Sequence, residues 1–184
     1  MQAEAFVLKI VHYPDPVLTT PAKRVTDFGP RLAHFVEEMF LTMYEARGVG
    51  LAAPQVGESL RIYVVNCEKE QPPEGEIALI NPEVVSVEGE QCNDEGCLSF
   101  PGIFVQKKRP AKVTMRAQNV HGQWFTVSGE GLLARAFLHE LEHLDGKVFL
   151  EDIEPAEFVK VRKDIEALKR NYKDRQKLRE RVVG

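Results

Sequence analysis

The stretch FLHELEHLDG, residues 137–146, constrains this chain more than any other part of its sequence. It places His139 and His143 four positions apart, with Glu140 directly after the first of them. On an α-helix, positions four apart lie one above the other on the same face, so both imidazoles can bind one metal ion. Glu140 would stay close to such an ion and could take a proton from a water molecule there.

Apolar residues precede this motif and predict that its helix is buried. They are Leu132, Leu133, Ala136 and Phe137. Because a buried histidine needs a partner, metal binding explains the motif better than a helix that displays two histidines at the protein surface.

The third metal ligand is not given by the motif, since no histidine follows His143. A catalytic site usually has three protein ligands and one open position. One source is a downstream carboxylate, from the set Glu151, Asp152, Glu154, Glu157 and Glu166. The other is Cys97, at a loop or strand edge in DEGCLSFPG, because a thiolate is a strong ligand for zinc or ferrous iron. Cys92 and Cys97 could also join the two histidines in a closed structural zinc site.

Length and composition indicate one globular domain. The chain has 184 residues, of which 43% are hydrophobic and 28% are charged, so it can bury a core without a metal. No apolar run approaches the roughly 20 residues of a membrane span. The N-terminal residues show no leader pattern, and three cysteines suit a reducing compartment. We expect a cytoplasmic protein without a processed leader.

Hydrophobic periodicity predicts an α+β fold. Helical patterns cover 27–48, with Pro30 in the first turn and Gly48 as the stop, and also 128–146 and 154–181. Short strand patterns with turn signals occupy most of 60–128. We predict mostly antiparallel short-strand sheets packed around a central helix that carries the H-E-x-x-H motif, plus an N-terminal helix and a long C-terminal helix.

The charge of the chain is uneven. Residues 160–184 contain ten Lys and Arg against four Asp and Glu, a net charge of +6, whereas the whole chain carries −4. Apolar residues at helical spacing predict that the first part of this segment docks on the body; they are Phe158, Val161, Ile165, Leu168 and Tyr172. A basic tail on an acidic body predicts either an anionic partner or a solvated helix face.

Three segments in order resemble the motifs of the peptide deformylases. GVGLAAPQVG at 48–57 is similar to G-x-G-x-A-A-x-Q, EGCLS at 95–99 matches the second motif, and HELEH at 139–143 is similar to H-E-x-D-H. The resemblance covers nearly the whole chain and departs from the family at Glu142, where Asp is usual. It implies hydrolysis of the formyl group from the N-terminal formyl-methionine of nascent proteins.

The resemblance also implies roles for particular residues. Cys97 becomes the third ligand beside His139 and His143, and Glu140 becomes the general base and acid. The Gln55 amide and the Leu98 N–H would stabilise the oxyanion, although a loop hydrogen bond is an alternative for Gln55. The implied substrate-binding residues are Val49, Gly50, Gly96, Leu132, Ala136 and Arg109. Core packing is the alternative for Leu132 and Ala136, and a position on the surface is the alternative for Arg109. Fe²⁺ is the implied native metal, with Zn²⁺ or Ni²⁺ as substitutes.

The resemblance implies a catalytic domain over residues 1–172 and a basic helical tail over 173–184. The tail could contact the ribosome, and we expect a monomer with no membrane partner. Cys92 has no counterpart in the family motif and is predicted to be a packing residue. Two rival functions stay open on the residues alone: a zinc endopeptidase with a downstream glutamate ligand, and a non-enzymatic nucleic-acid-binding module with a structural zinc.

Overall fold

Three α-helices, two short 3-10 helices (Pro16–Thr19 and Ala53–Val56) and seven strands form the described part of the chain, residues 5–68 and 74–183 of a computed structural model. In chain order the α-helices and strands are α1 (Pro30–Glu45), β1 (Gly50–Ala52), β2 (Ile62–Val65), β3 (Ile77–Glu88), β4 (Gln91–Cys97), β5 (Phe100–Arg109), β6 (Lys112–Gln118), β7 (Trp124–Glu130), α2 (Gly131–Leu144) and α3 (Pro155–Val183). All pairings between these strands are antiparallel. The predicted α+β class with antiparallel sheets is confirmed.

The strands form two sheets. One sheet has five strands in the order β1-β2-β3-β6-β7, and the other is the β4–β5 hairpin. Two of the short strand patterns between 60 and 128, IALINP at 77–82 and VVSVE at 84–88, form the single strand β3. Pro82 lies in this strand where the register to β6 shifts, between Ile80 and Glu83. A proline has no N–H to donate, so a strand accommodates it where the pairing is irregular.

Helix α2 carries His139, Glu140 and His143 and packs on the five-stranded sheet. Its residues Ala134 and Phe137 share one buried cluster with Tyr63 of β2 and Met115 of β6. The helix starts directly after β7, and Gly129 at that junction lets the two elements approach closely. A Cβ at Gly129 would lie 2.6 Å from the Leu133 side chain. The apolar residues that precede the histidines therefore fix the helix against the sheet.

Helix α1 ends earlier than predicted. Pro30 is in the first turn as expected, but the last helical residue is Glu45, and Gly48 is not the residue that reverses the chain. Arg47 takes the left-handed conformation, with φ 56°. The Gly48 N–H then donates to the Met43 carbonyl at 2.9 Å. A non-glycine residue in this conformation is uncommon, which explains why the sequence pointed to the glycine.

The β4–β5 hairpin was not predicted from the sequence. Along β5, inward positions alternate with exposed ones, and the inward side chains are Ile103, Val105, Lys107 and Arg109. Two of the four are charged, so the period-2 pattern of apolar residues that indicates a strand is hidden. The buried charges of β5 thus concealed the element that carries them.

Helix α3 packs on β5 through part of the predicted apolar stripe. Val161 and Ile165 are buried in a cluster with Phe100 and Phe149, whereas Phe158 is 44% exposed. The side chains of Lys173, Arg175 and Lys177 are exposed, and those of Arg179 and Arg181 lie outside the described part. Among the described helices, none has the length and apolar character needed to cross a membrane.

Gly146 allows the end of α2 to pack closely against Thr20 and Pro21, in the segment before α1. It has φ 72°, and a Cβ there would lie 2.8 Å from backbone atoms of Thr20 and Pro21. Gly57 has a comparable φ of 88°, but a Cβ there would meet nothing within 4 Å. The two glycines share the backbone requirement and differ in the space available.

We predict that Gly146→Ala lowers the free energy of unfolding by about 3 kcal/mol and Gly57→Ala by only about 1 kcal/mol. Both variants carry the cost of a left-handed non-glycine residue, but only the first adds a backbone clash. Urea denaturation of both variants measures the difference. Equal losses would show that the clash at Gly146 relaxes without cost.

Candidate metal centre and active-site cleft

Cys97, His139 and His143 converge at one point between β4 and α2. One ligand atom from each lies within 4.8 Å of the other two, and the Cys97 Sγ is 3.3 Å from the His143 Nε2. Both histidines are buried and the cysteine is partly buried. Within residues 5–68 and 74–183, no other cluster of three such side chains is found.

The structure does not bring the other candidate ligands to the histidines. No described carboxylate among Glu151, Asp152, Glu154, Glu157 and Glu166 belongs to the cluster. Cys92 is exposed and pairs across the hairpin with Lys108. Its predicted role as a packing residue is wrong, because the alternation of β4 turns its side chain outward. The arrangement also gives Cys92 no place in a closed four-ligand site.

The histidine ring of His139 is oriented by a carboxylate. Its Nδ1 lies 2.7 Å from Glu95 Oε1, so Nε2 remains available on the side of Cys97. A carboxylate on the far nitrogen fixes the tautomer and orientation of a metal-binding imidazole. Two imidazoles and one thiol, with no fourth ligand among the residues that the structure describes, suit a divalent metal that keeps an open position. The side chains therefore fit a catalytic metal.

Glu95 is the centre of a buried ionic network. Besides His139, its carboxylate accepts hydrogen bonds from Arg109 at 2.6 and 3.1 Å and from Arg135 at 2.9 Å. Burial alone would raise its pKa, but the bonds from His139 and Arg109 hold the pKa of Glu95 well below its ordinary value. Glu95 therefore stays ionised and keeps the imidazole in place.

Arg109 does not line the cleft. Its side chain is only 5% exposed, and its guanidinium bridges Glu95 and Glu142. Burial alone would lower the pKa of Arg109, but the two carboxylates raise it. Neither expectation from the sequence, a substrate-binding arginine or a surface arginine, agrees with this position. Its two carboxylate partners explain why a charged residue is buried here.

Glu140 is buried beside the ligand cluster. It is 4% exposed, and its Oε2 has no hydrogen-bond partner among the described residues. Burial raises the pKa of Glu140 to about 7. A Cβ at Gly50 would lie 2.4 Å from Glu140 Oε1. Only a glycine at position 50 leaves room for the carboxylate, which explains part of the GVG sequence.

A cleft of about 450 Å³ opens next to this carboxylate. It contains most of the residues predicted to bind substrate or stabilise charge, namely Val49, Gly50, Gln55, Gly96, Leu98, Leu132 and Ala136. Val49 and Leu132 are 42% and 53% exposed, whereas Ala136 is 5% exposed. The first two therefore lie at the open side of the cleft and the third lies deeper.

Gln55 points its amide nitrogen at the ligand cluster. Its Oε1 accepts a hydrogen bond from the Ala52 N–H at 2.8 Å, which orients the side chain. Its Nε2 lies 3.5 Å from Cys97 Sγ and 3.4 Å from Ser99 Oγ. Leu98 follows Cys97 in the turn between β4 and β5 and lines the same cleft. The Gln55 amide and the Leu98 backbone therefore both lie beside the cluster.

Sequence reasoning missed two buried cations that support the site. Arg135 donates to Glu95 and to the Asn93 and Lys107 carbonyls, and Lys107 donates to Glu142. Arg135 lies four residues before His139, so helical spacing alone could have placed both on one face. No sequence signal identifies Lys107, because its burial depends on the unpredicted hairpin.

Comparison with known proteins agrees with this geometry. The family model described as "Polypeptide deformylase" matches residues 7–159. The peptide deformylase of Acidobacterium capsulatum is 52% identical over 141 residues, which cover 77% of this chain and 83% of that protein. Peptide deformylase 1 of Bacillus anthracis is 46% identical over 147 residues, which cover 80% of this chain and 92% of that protein.

Solved structures show the same fold. A plant peptide deformylase of type 1B superimposes with a TM-score of 0.88 at 40% identity and covers 95% of each chain. The peptide deformylase of Thermotoga maritima superimposes with a TM-score of 0.75 at 41% identity, covering 81% of this chain and 99% of that one. The family model, the related sequences and the superimposed structures agree, and the chain belongs to the peptide deformylase family.

Proposed function

We propose that the cleft between β4 and α2 is where this deformylase removes the formyl group from N-terminal formyl-methionine and releases formate. One observation supports the assignment above all others. A thiol and two imidazoles converge beside a buried carboxylate, Glu140, that has a free oxygen. This combination supplies both a metal site and a proton acceptor at the end of an open cleft.

We assign Cys97, His139 and His143 as the metal ligands of this metal-dependent family. When bound, a divalent metal supplies a Lewis acid that lowers the pKa of water and polarises the formyl oxygen. One thiolate with two imidazoles suits Fe²⁺ as well as Zn²⁺ or Ni²⁺. We propose Fe²⁺ as the native metal, on the resemblance to the family, with the other two as substitutes.

Glu140 moves the proton in the proposed reaction. It accepts a proton from the water whose oxygen attacks the formyl carbon, and it later gives that proton to the amine as the C–N bond breaks. Formate then leaves together with the free methionine amine. A base of raised pKa, held in a buried position, suits both transfers near neutral pH.

Gln55 and Leu98 stabilise the negative charge that develops on the formyl oxygen. The Gln55 amide is held by the Ala52 N–H, so its nitrogen needs no reorganisation to donate. The Leu98 N–H is the second proposed donor, since Leu98 lies in the turn after Cys97 and lines the same cleft. Fixed donors in a site that excludes water stabilise a developing oxyanion strongly.

The substrate binds as an extended chain between two strand edges. β1 is the terminal strand of the five-stranded sheet and contributes Gly50, and β4 is one strand of the separate hairpin and contributes Gly96. Backbone groups of Val49, Gly50 and Gly96 can pair with a peptide as an added strand does. Leu132 and Ala136 provide apolar contact for the methionine side chain.

We predict that protein purified without oxygen and loaded with Fe²⁺ releases formate from a formyl-methionyl peptide. Glu140→Gln should lower kcat at least about 100-fold, because it removes the proton acceptor and keeps the shape of the side chain. An acetyl-methionyl peptide and a peptide with a free N-terminus serve as substrate controls. Cleavage of internal peptide bonds, without formate release, would instead favour the endopeptidase.

The ligand assignment predicts different effects of the two hairpin cysteines. Cys97→Ala should lose stoichiometric binding of Co²⁺, together with the absorption band of a thiolate bound to cobalt, because it removes one of three ligands. Cys92→Ala should bind Co²⁺ like the unmodified chain. Loss of metal and of folding in Cys92→Ala, with normal binding in Cys97→Ala, would favour the structural-zinc alternative.

We further propose that the basic end of α3 contacts the ribosome, where formylated nascent chains emerge. Residues 1–172 form the proposed catalytic domain, and 173–184 form the tail. Val161 and Ile165 hold the first half of α3 on the body, and the described basic side chains beyond Tyr172 are exposed. Exposed Lys and Arg bind RNA phosphates in a salt-dependent manner. The cytoplasmic location and the monomeric state stay predictions.

Truncation after Tyr172 should weaken ribosome binding and leave formate release from a small peptide unchanged. A full-length variant with Lys173, Arg175 and Lys177 replaced by Gln separates the loss of charge from the loss of helix. Co-sedimentation with ribosomes over a salt series measures both. Ribosome binding equal to that of the intact chain at low salt would contradict the proposed role of the tail.

A further inference from the structure

Lys107 is a buried cation with a complete set of acceptors. Its side chain is 4% exposed, and its Nζ lies 3.1 and 3.2 Å from the two carboxylate oxygens of Glu142. The same nitrogen donates to the carbonyls of Phe149 at 3.0 Å and Glu151 at 3.1 Å. A buried ammonium is tolerated only with such partners. Lys107 therefore ties β5 to α2 and to the turn before α3.

This cation stands at one end of a continuous chain of charges that reaches a proposed metal ligand. Glu142 also accepts from Arg109, Arg109 donates to Glu95, and Glu95 lies against His139 Nδ1. The signs alternate from Lys107 to Glu95, so Glu142 lies between two cations and Arg109 lies between two carboxylates. Positions in such a network depend on one another.

A second route leads from Lys107 to the same imidazole. Lys107 holds the Phe149 carbonyl, and the Phe149 ring centroid lies 5.8 Å from that of His139. Phe149 also packs edge-on against Phe100, with ring centroids 5.2 Å apart. Lys107 therefore holds the backbone of the turn that precedes α3, and the Phe149 ring of this turn packs against the His139 ring.

We propose that Lys107 is a positioning residue for His139, acting through Glu142, Arg109 and Glu95 on one side and through Phe149 on the other. The inference rests on the proposed role of His139 as a metal ligand. Glu142 is the shared partner of the two cations, since its carboxylate lies 3.1 and 3.2 Å from Lys107 Nζ and 2.9 Å from Arg109.

The test compares Lys107→Met with Lys108→Met, a neighbouring lysine that is exposed on the same strand. We expect Lys107→Met to speed the loss of Co²⁺ to a chelator about tenfold and to lower kcat about tenfold, the low end of effects from residues that support ligands. KM should stay within about twofold, because Lys107 does not line the cleft. Lys108→Met should match the unmodified chain in all three quantities.

Metal loss and kcat like those of the unmodified chain in Lys107→Met would overturn the proposal, whatever happens to the melting temperature. If Lys107→Met does not fold, Lys107→Gln decides by the same criteria, since it keeps N–H donors for the two carbonyls but not the charge. His139→Ala separates this inference from the proposed function. Metal binding as strong as in the unmodified chain would show that His139 is not a metal ligand, and this would contradict the proposed function as well.

Discussion

The contact between Glu95 and His139 is the interaction on which the rest of the site depends. A buried carboxylate is costly unless its partners compensate for the lost water, and Glu95 has three, on α2 and β5. These partners join the hairpin to the helix, so the thiol of Cys97 and the two imidazoles meet in one place. The buried ionic network around Glu95 therefore holds Cys97, His139 and His143 together.

The same buried ionic network explains why the residues of the site were easier to predict from the sequence than the strands around them. His139, Glu140 and His143 follow a helical spacing that can be recognised without a structure. Helix α2 covers Gly131–Leu144 of the predicted 128–146, whose first three residues belong to β7. The β4–β5 hairpin could not be recognised, because Lys107 and Arg109 occupy positions where a strand pattern requires apolar residues. The burial of Arg109 could not be predicted either, because it depends on Glu95 and Glu142, which are distant in the sequence.

Backbone conformation set the other limits of prediction. Gly48 was expected to end α1, yet the chain reverses at Arg47. Gly48 and Gly50 are instead both closely packed, since a Cβ would lie 2.8 Å from the Leu98 side chain at Gly48 and 2.4 Å from Glu140 Oε1 at Gly50. Sequence alone shows that a glycine is needed but not whether the need comes from a left-handed φ or from a neighbouring side chain. At Gly50 the neighbour is the carboxylate of Glu140, a contact between residues ninety positions apart in the sequence.

The two strand edges that flank the cleft, β1 and β4, determine which parts of an extended ligand the protein can contact. Both edges contribute a glycine to the cleft, so what they offer an extended chain at these points is main chain. Peptide groups are the one feature that all proteins have in common, whatever genes encode them. In the binding mode proposed above, contacts to peptide groups would carry no information about side chains, so the cleft would accept the first residue of very different chains.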